Sequence, residues 1–255
     1  MSILAENKAY WTVRASGYSE VNQAELETDQ RKKWRDCLQA EIGRQFPCAA
    51  AEKLRVLEVG TGPGFFAILL SELGYDVTAI DLTPAMLEEA KKNAGAKAGS
   101  ILFMEMNAEA LKFEDTSFDV VISRNLTWNL PHPDAAYAEW VRVLRPGGLL
   151  LNFDANWYAY LFDEEAQAAY RRDRINSAEQ GVRDQNVGEN FDVMEDIARR
   201  IPLSSIRRPA WDLTQLHCLG LHAWADEQIW QRVWSEEEKL NFSSTPLFLV
   251  RATKN

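Results

Sequence analysis

The sequence is poor in the groups on which disulfide, metal and thiol chemistry depend. Its 255 residues include only three cysteines and three histidines. Cys37, Cys48 and Cys218 lie far apart without CxxC spacing, which argues against a disulfide framework and fits reduced thiols packed as small apolar side chains. No run of about 18 apolar residues occurs, so no membrane span is expected. The N-terminal "MSILAENKAYWTVRASGYSE" lacks the basic, apolar and small-residue zones of a secretory signal, and the chain is expected to be soluble and cytoplasmic. Positive charge is also in deficit. Lys and Arg number 28 against 38 Asp and Glu, a formal net charge of -10, and no basic cluster could track a nucleic acid backbone or an anionic bilayer.

What the chain does have is an alternation of short apolar runs and helical patterns between about residues 54 and 153. "LRVLEVG", "DVTAID", "ILFMEM", "FDVVIS" and "LLLNFD" read as strands. Between them, "GFFAILLSELG", "PAMLEEAKKNAG" and "DAAYAEWVRVL" read as helices, the second with Thr83 as N-cap and Pro84 at its first position, the third stopped by Pro146-Gly147-Gly148. Strands this apolar are buried on both faces, which predicts a doubly wound, mainly parallel α/β sheet. "LHAWADEQI" and "PLFLVRATK" near the C-terminus add a sixth and a seventh strand after a helix at "WDLTQLHCLG". The expected divisions are a helical N-terminal arm or lid over 1–50, a core over 51–154, a helical cap insertion over 155–210 and C-terminal strands over 211–255 that complete the sheet.

The chemistry concentrates at "VLEVGTGPGFF". Gly60, Gly62 and Gly64 stand where the first strand hands over to its helix, the place where open parallel sheets bind ligands. Asp81 ends the second strand, from which a carboxylate can accept hydrogen bonds from ribose hydroxyls. The dinucleotide fingerprint is GxGxxG. This chain has GxGxG, Pro63 removes one amide, and Glu58 sits two residues upstream, so a diphosphate and hence NAD are poorly served. A carboxylate there suits a cation or an amine. Alternatives at this point are a tight turn without ligand and a binding module without catalysis.

Three segments together, "LEVGTGPGFFAILLSELGYDVTAIDLTPAMLEEAKKNA", "MNAEALKFEDTSFDVVISRN" and "AEWVRVLRPGGLLL", resemble the class I S-adenosylmethionine (SAM)-dependent methyltransferases, in particular the small-molecule, type 11 or UbiE-like branch. The resemblance implies a Rossmann-like fold, SAM as methyl donor with S-adenosylhomocysteine (SAH) as product, and no metal. It implies that Glu58, Gly60, Thr61, Gly62 and Gly64 lie along the methionine part of the cofactor, that Asp81 holds the ribose, and that Leu82 and Met86 pack on the adenine. Asn107, Ala108 and Glu109 stand where the family has Asp-Ala at the adenine amino group. Arg124 and Asn125 would border the methionine carboxylate and the methyl group. Tyr10, Trp11, Arg14 and Tyr18 would form an aromatic lid.

For the acceptor the expected wall is Trp11, Arg14, Trp128, His132, Trp157, Tyr158 and Tyr160, which suits a flat ring or a cationic amine. Methyl transfer needs chiefly positioning, so a base is hard to read from spacing; His132, Tyr18 and His217 are the candidates. His217 and His222, with Cys218, offer soft-metal ligands, but Gly220 between them breaks a shared helical face. The expectation is a methyltransferase acting on a small molecule, as monomer or homodimer. Its alternatives are a non-catalytic SAM-binding sensor or interaction protein, and a methyltransferase acting on protein or, against the acidic balance, RNA.

Overall fold

The computed structural model describes residues 2–182, 184 and 191–255. Seven strands form one sheet: β1 (Arg55–Val59), β2 (Asp76–Asp81), β3 (Ile101–Glu105), β4 (Phe118–Arg124), β5 (Leu144–Asp154), β6 (Leu221–Asp226) and β7 (Phe248–Lys254). Their order is β3-β2-β1-β4-β5-β7-β6. The first five pair in parallel, and β7 runs antiparallel between β5 and β6. The order reverses between β1 and β4, which opens a crevice at the carboxyl ends of these strands.

Successive strand residues face opposite sides, so one strand feeds two cores. Val56, Val120 and Leu149 point to the side covered by α2 (Asp29–Gln45) and α3 (Phe65–Glu72). Leu57, Val121 and Leu150 point to the side covered by α5 (Pro133–Val143) and α8 (Ala210–Cys218). This is the expected double winding. One expected boundary differs: Pro146-Gly147-Gly148 lies within β5, whose register against β4 shifts between Phe118 and Val120. Helix α5 already ends at Val143, and the Pro-Gly-Gly run makes an irregular strand entry instead of a helix stop.

The N-terminal arm is two helices, with the aromatic stretch inside the first, α1 (Ile3–Glu27). Ser2 caps it by accepting from the Ala5 N–H. α1 packs on α4 (Pro84–Ala94) and crosses the open end of the sheet. Thr83 is the N-cap of α4, but its side chain makes no capping bond. The cap contributes α6 (Glu164–Glu179) and α7 (Phe191–Ala198), whose buried Met194, Ile197 and Ala198 join Trp128, Tyr158 and Tyr160 in a third apolar cluster against α1. Part of the polar linker expected between these helices, residues 183 and 185–190, lies outside the described residues. Two short helices, α9 (Trp230–Val233) and α10 (Glu236–Asn241), precede β7. Of the cysteines only Cys37 is buried; Cys48 and Cys218 are exposed, because they fall at the polar ends of helices. No helix among the described residues is long and apolar enough to cross a membrane.

Candidate functional site

The loop after β1 is built from left-handed backbone. Gly60, Gly62 and Gly64 have φ of 72°, 51° and 90°, a region that side chains with a Cβ rarely adopt. The amides of Gly60 and Thr61 both donate to the Ile80 carbonyl, and Gly64 donates to Thr61. Gly62 donates instead to Oδ2 of Asp81 at 2.9 Å, while Oδ1 of Asp81 accepts from the Thr83 N–H at 2.8 Å. The two strand ends are thus tied through one carboxylate, which keeps further acceptor capacity because two oxygens offer about four lone-pair sites.

The glycines differ in purpose. A Cβ on Gly60 would meet Leu126 Cδ2 at 2.7 Å, across the opening of the cleft. A Cβ on Gly64 would instead meet Ala90 of α4, its Cβ at 3.0 Å and its Cα at 3.2 Å. Gly60 and Gly62 line the cleft and Gly64 does not. The third glycine therefore serves the close approach of α3 and α4.

Glu58 is 3% exposed beneath this loop, where its Oε2 accepts from Thr61 Oγ1 at 2.7 Å. Burial pushes its carboxyl up to about 8, against the lowering effect of bonds from Thr61 and the Ala67 amide. Burial likewise raises Asp81. Both are carboxyls that a nearby cation would return to the ionised form.

A cleft lies between the β1 loop and α1, with a volume of about 110 Å³. Glu58, Gly60, Thr61, Gly62, Asp81, Leu82, Met86, Asn107, Ala108, Arg124, Asn125, Trp11 and Tyr18 from the sequence reading line it. The structure adds Leu4, Asn7, Lys8 and Asn22 of α1, and Asn129 beyond β4. Asn7 donates to the Asn129 carbonyl at 2.8 Å and Lys8 pairs with Glu105 at 2.6 Å, so α1 is fastened across the opening. These polar residues gave no sequence signal, because they lie on a helix with little amphipathic pattern and their meaning comes from what α1 crosses. Asn107 turns its Oδ1 to the Glu109 N–H at 3.0 Å.

A second chamber of about 200 Å³ opens beside the cleft and shares Trp11, Tyr18, Asn22, Arg124 and Asn125 with it. Trp128, Trp157, Tyr158 and Tyr160 line it as expected. Glu25, Trp234, Glu238 and Phe242 line it too and were not foreseen, since α9 and α10 are far away in sequence. Asn125, at the junction, holds φ 55°, donates its N–H to Phe153 and accepts the Trp128 indole N–H on its carbonyl. Strained residues of this kind collect where a site is over-determined by its surroundings.

Several expected site residues stand elsewhere. Arg124 lines both cavities, but its guanidinium is engaged by Glu25 in two bonds and stacks 4.8 Å from the Trp34 ring. Its Nε is buried without a partner, so one donor of the guanidinium stays outside that pair. Tyr10 and Arg14 lie outside both linings, with Tyr10 edge-on against Trp11. His132 and Glu109 lie outside both linings, and the main-chain N–H of His132 donates to Glu109 Oε1 at the entry to α5. His217 sits beyond the other edge of the sheet, its ring nitrogen 3.1 Å from the Ala223 carbonyl next to β6. Neither histidine reaches either cavity. Among the described residues no group of three or more His, Cys, Asp or Glu is placed to hold a metal ion.

Residues 57–152 match the family model of a methyltransferase domain. The chain is 44% identical over 110 residues to the demethylmenaquinone methyltransferase of Deinococcus radiodurans, covering 40% of this chain and 46% of that one. It is 38% identical over 97 residues to an uncharacterised protein of Mycobacterium tuberculosis, 38% of this chain and 35% of that one. The matches thus span less than half the length of these curated relatives. Among solved structures, a phosphoethanolamine N-methyltransferase of Haemonchus contortus superposes with a TM-score of 0.55 at 18% identity, covering 84% of this chain and 52% of that chain. The chain carries a class I SAM-dependent methyltransferase domain.

Proposed function

We propose that the protein is a SAM-dependent methyltransferase acting on a small molecule. The observation that carries this reading is the pair of adjoining cavities, one built around Glu58, the glycine loop and Asp81, the other walled by aromatic rings. A protein that only binds SAM needs the first; the second leaves room for an acceptor next to it. Relatives and fold neighbours that methylate menaquinone precursors or phosphoethanolamine favour small acceptors.

The residues present fit SAM. Asn7, Asn125 and Asn129 line the cleft, and the side-chain oxygen of each is buried without a hydrogen-bond partner, which costs about 1–3 kcal/mol until a donor meets it. SAM carries such donors in its ammonium, ribose hydroxyls and adenine amine, and when bound it supplies an electrophilic methyl group on a sulfonium. Glu58 would face the ammonium through the loop, Asp81 the ribose hydroxyls, and Leu82, Met86 and Ala108 the adenine ring. Asn107, with its carbonyl committed to Glu109, offers its amide N–H to the base. α1 excludes water by covering the cleft, and the aromatic chamber dries the path between donor and acceptor, where positioning provides much of the acceleration.

Calorimetric titration with SAM, SAH and NAD tests this reading. Binding of both adenosyl compounds without NAD is the expected result, and failure of both to bind overturns it. Asp81→Asn keeps one acceptor for the loop amides but removes the charge. It should weaken SAH binding by about 1.5–3 kcal/mol, roughly 10- to 150-fold.

A further inference from the structure

We propose that the acceptor chamber recognises a cationic amine, with the free edge of Glu238 and the surrounding aromatic rings as its recognition set. The inference rests on the methyltransferase reading and deepens it. Rings reach the chamber from four parts of the chain: Trp11 and Tyr18 from α1, Trp128 after β4, Trp157 from the start of the cap, and Trp234 and Phe242 beside α10. A ring face attracts a cation, and a desolvated box of several such rings is the usual receptor for alkylated ammonium groups.

Charge points the same way. The chamber holds two carboxylates, Glu25 and Glu238, and one guanidinium, Arg124. Glu25 and Arg124 cancel each other in their two-armed pair. Glu238 is left over. It accepts from the Ser235 N–H at 2.8 Å and from Gln30 Nε2, both on Oε2. Among the described residues Oε1 has no partner and Glu238 has no ion pair. Its burial and the nearby Glu25 disfavour the charged form, against Ser235 and Arg124, which favour it, and an incoming ammonium would favour it further. Asn125 Oδ1, buried and unpartnered at the mouth shared with the cofactor cleft, offers a second acceptor for an N–H. Among the described residues the one cation in this wall is Arg124, and it is paired with Glu25.

Methylation of such an amine balances without a further reagent. The ammonium releases its proton to bulk solvent before the site closes, the free-base nitrogen bonds to the methyl carbon, and the C–S bond breaks with its electron pair to sulfur. The positive charge then resides on nitrogen, within the same rings.

The test is a tryptophan-fluorescence titration of the full-length protein saturated with SAH, using benzyltrimethylammonium and its uncharged carbon isostere neopentylbenzene. Glu238→Gln keeps the capping box of α10, in which Gln replaces Glu without loss of the bond to the Ser235 amide. The expected result is a loss of about 10-fold in affinity for the cation in this variant, with affinity for the neutral isostere unchanged. Trp234→Leu should weaken the cation more than the isostere as well. Equal loss of both ligands in Glu238→Gln, or no loss of either, overturns the proposal, as does saturable binding of a hydroquinone with no binding of the cation. If SAH itself does not bind in calorimetry, the methyltransferase reading fails first, and that outcome is distinct from every one above.

Discussion

Arg124 at the end of β4 and Glu25 near the end of α1 form a two-armed ion pair whose side chains are only 13% and 5% exposed. The guanidinium lies over Trp34 and Phe65 at 4.8 and 4.9 Å, and Asn22 donates to Glu25 Oε2 at 3.0 Å. This pair nails the C-terminal half of the lid helix to the sheet where the two cavities meet. The other half of α1 is held by exposed pairs, Lys8 with Glu105 and Glu6 with Arg200, which contribute little.

Removing one partner of the inner pair strands a buried charge. Glu25→Gln should lower unfolding stability by about 3 kcal/mol in urea titration, whereas Lys8→Ala should change it by less than about 1 kcal/mol. Lys8→Ala should instead speed dissociation of SAH in stopped-flow measurements, because it loosens the end of α1 that spans the cleft.

Glu58 sets a pH dependence with a defined sign. Its folded-state value of about 8 lies above the ordinary carboxyl value of 4.5. Its contribution to stability is thus complete below about 4.5 and is lost as pH rises through about 8. Glu58→Gln should therefore be more stable than the parent at pH 9 in thermal unfolding without ligand. The neighbouring charges are Asp81, which raises the carboxyl, and Arg124, which lowers it. A bound cation favours the carboxylate, so SAM should bind more tightly as pH rises from 6 toward 8 and should release a proton. Calorimetry in buffers of different ionisation enthalpy reads that proton, and Glu58→Gln should show none from this site.

Gly64→Ala separates scaffold from ligand contact. The left-handed conformation costs a residue with a Cβ about 1–2 kcal/mol, and the new methyl would press on Ala90. Thermal unfolding should show at least that loss, while the SAH affinity of the folded fraction stays close to that of the parent, since Gly64 does not line the cleft.

Arg208 is the fixture behind the aromatic wall. It lies entirely buried between Asp154 and Asp212, at 2.6 Å from each. Asp154 in turn accepts from the Trp128 amide and the Trp157 indole, and Tyr137 donates to Asp212 at 2.6 Å. Arg208→Met leaves two buried carboxylates without their cation and should cost about 3–5 kcal/mol in chemical unfolding. In the folded remainder, quenching of tryptophan fluorescence by acrylamide should increase, because two chamber tryptophans lose their anchor.

Much of the site was readable before any coordinates because it is encoded locally. Glu58, Gly60, Gly62 and Asp81 lie at strand ends or in the first turn after a strand, where period-two apolar runs and glycines mark position directly. The same holds for Trp128 and for Trp157, which follow β4 and β5 within a few residues. His132 and Glu109 show the limit of that logic. They also follow strands, yet neither lines a cavity, and the Glu109 carboxylate is taken up by the His132 main-chain N–H.

The sequence by itself determined a doubly wound sheet, the strand that carries the glycine loop, and the chemistry of that loop, since these depend on the order of residues within single strands and turns. It also determined the aromatic supply for a second cavity. The tertiary structure alone decided which rings and charges share that cavity. Glu25 meets Arg124 and Gln30 meets Glu238 across separations of 99 and 208 residues, and no local pattern carries such pairings. Long-range packing sets Arg124 against Glu25 and places Glu238 beside the aromatic rings of the chamber.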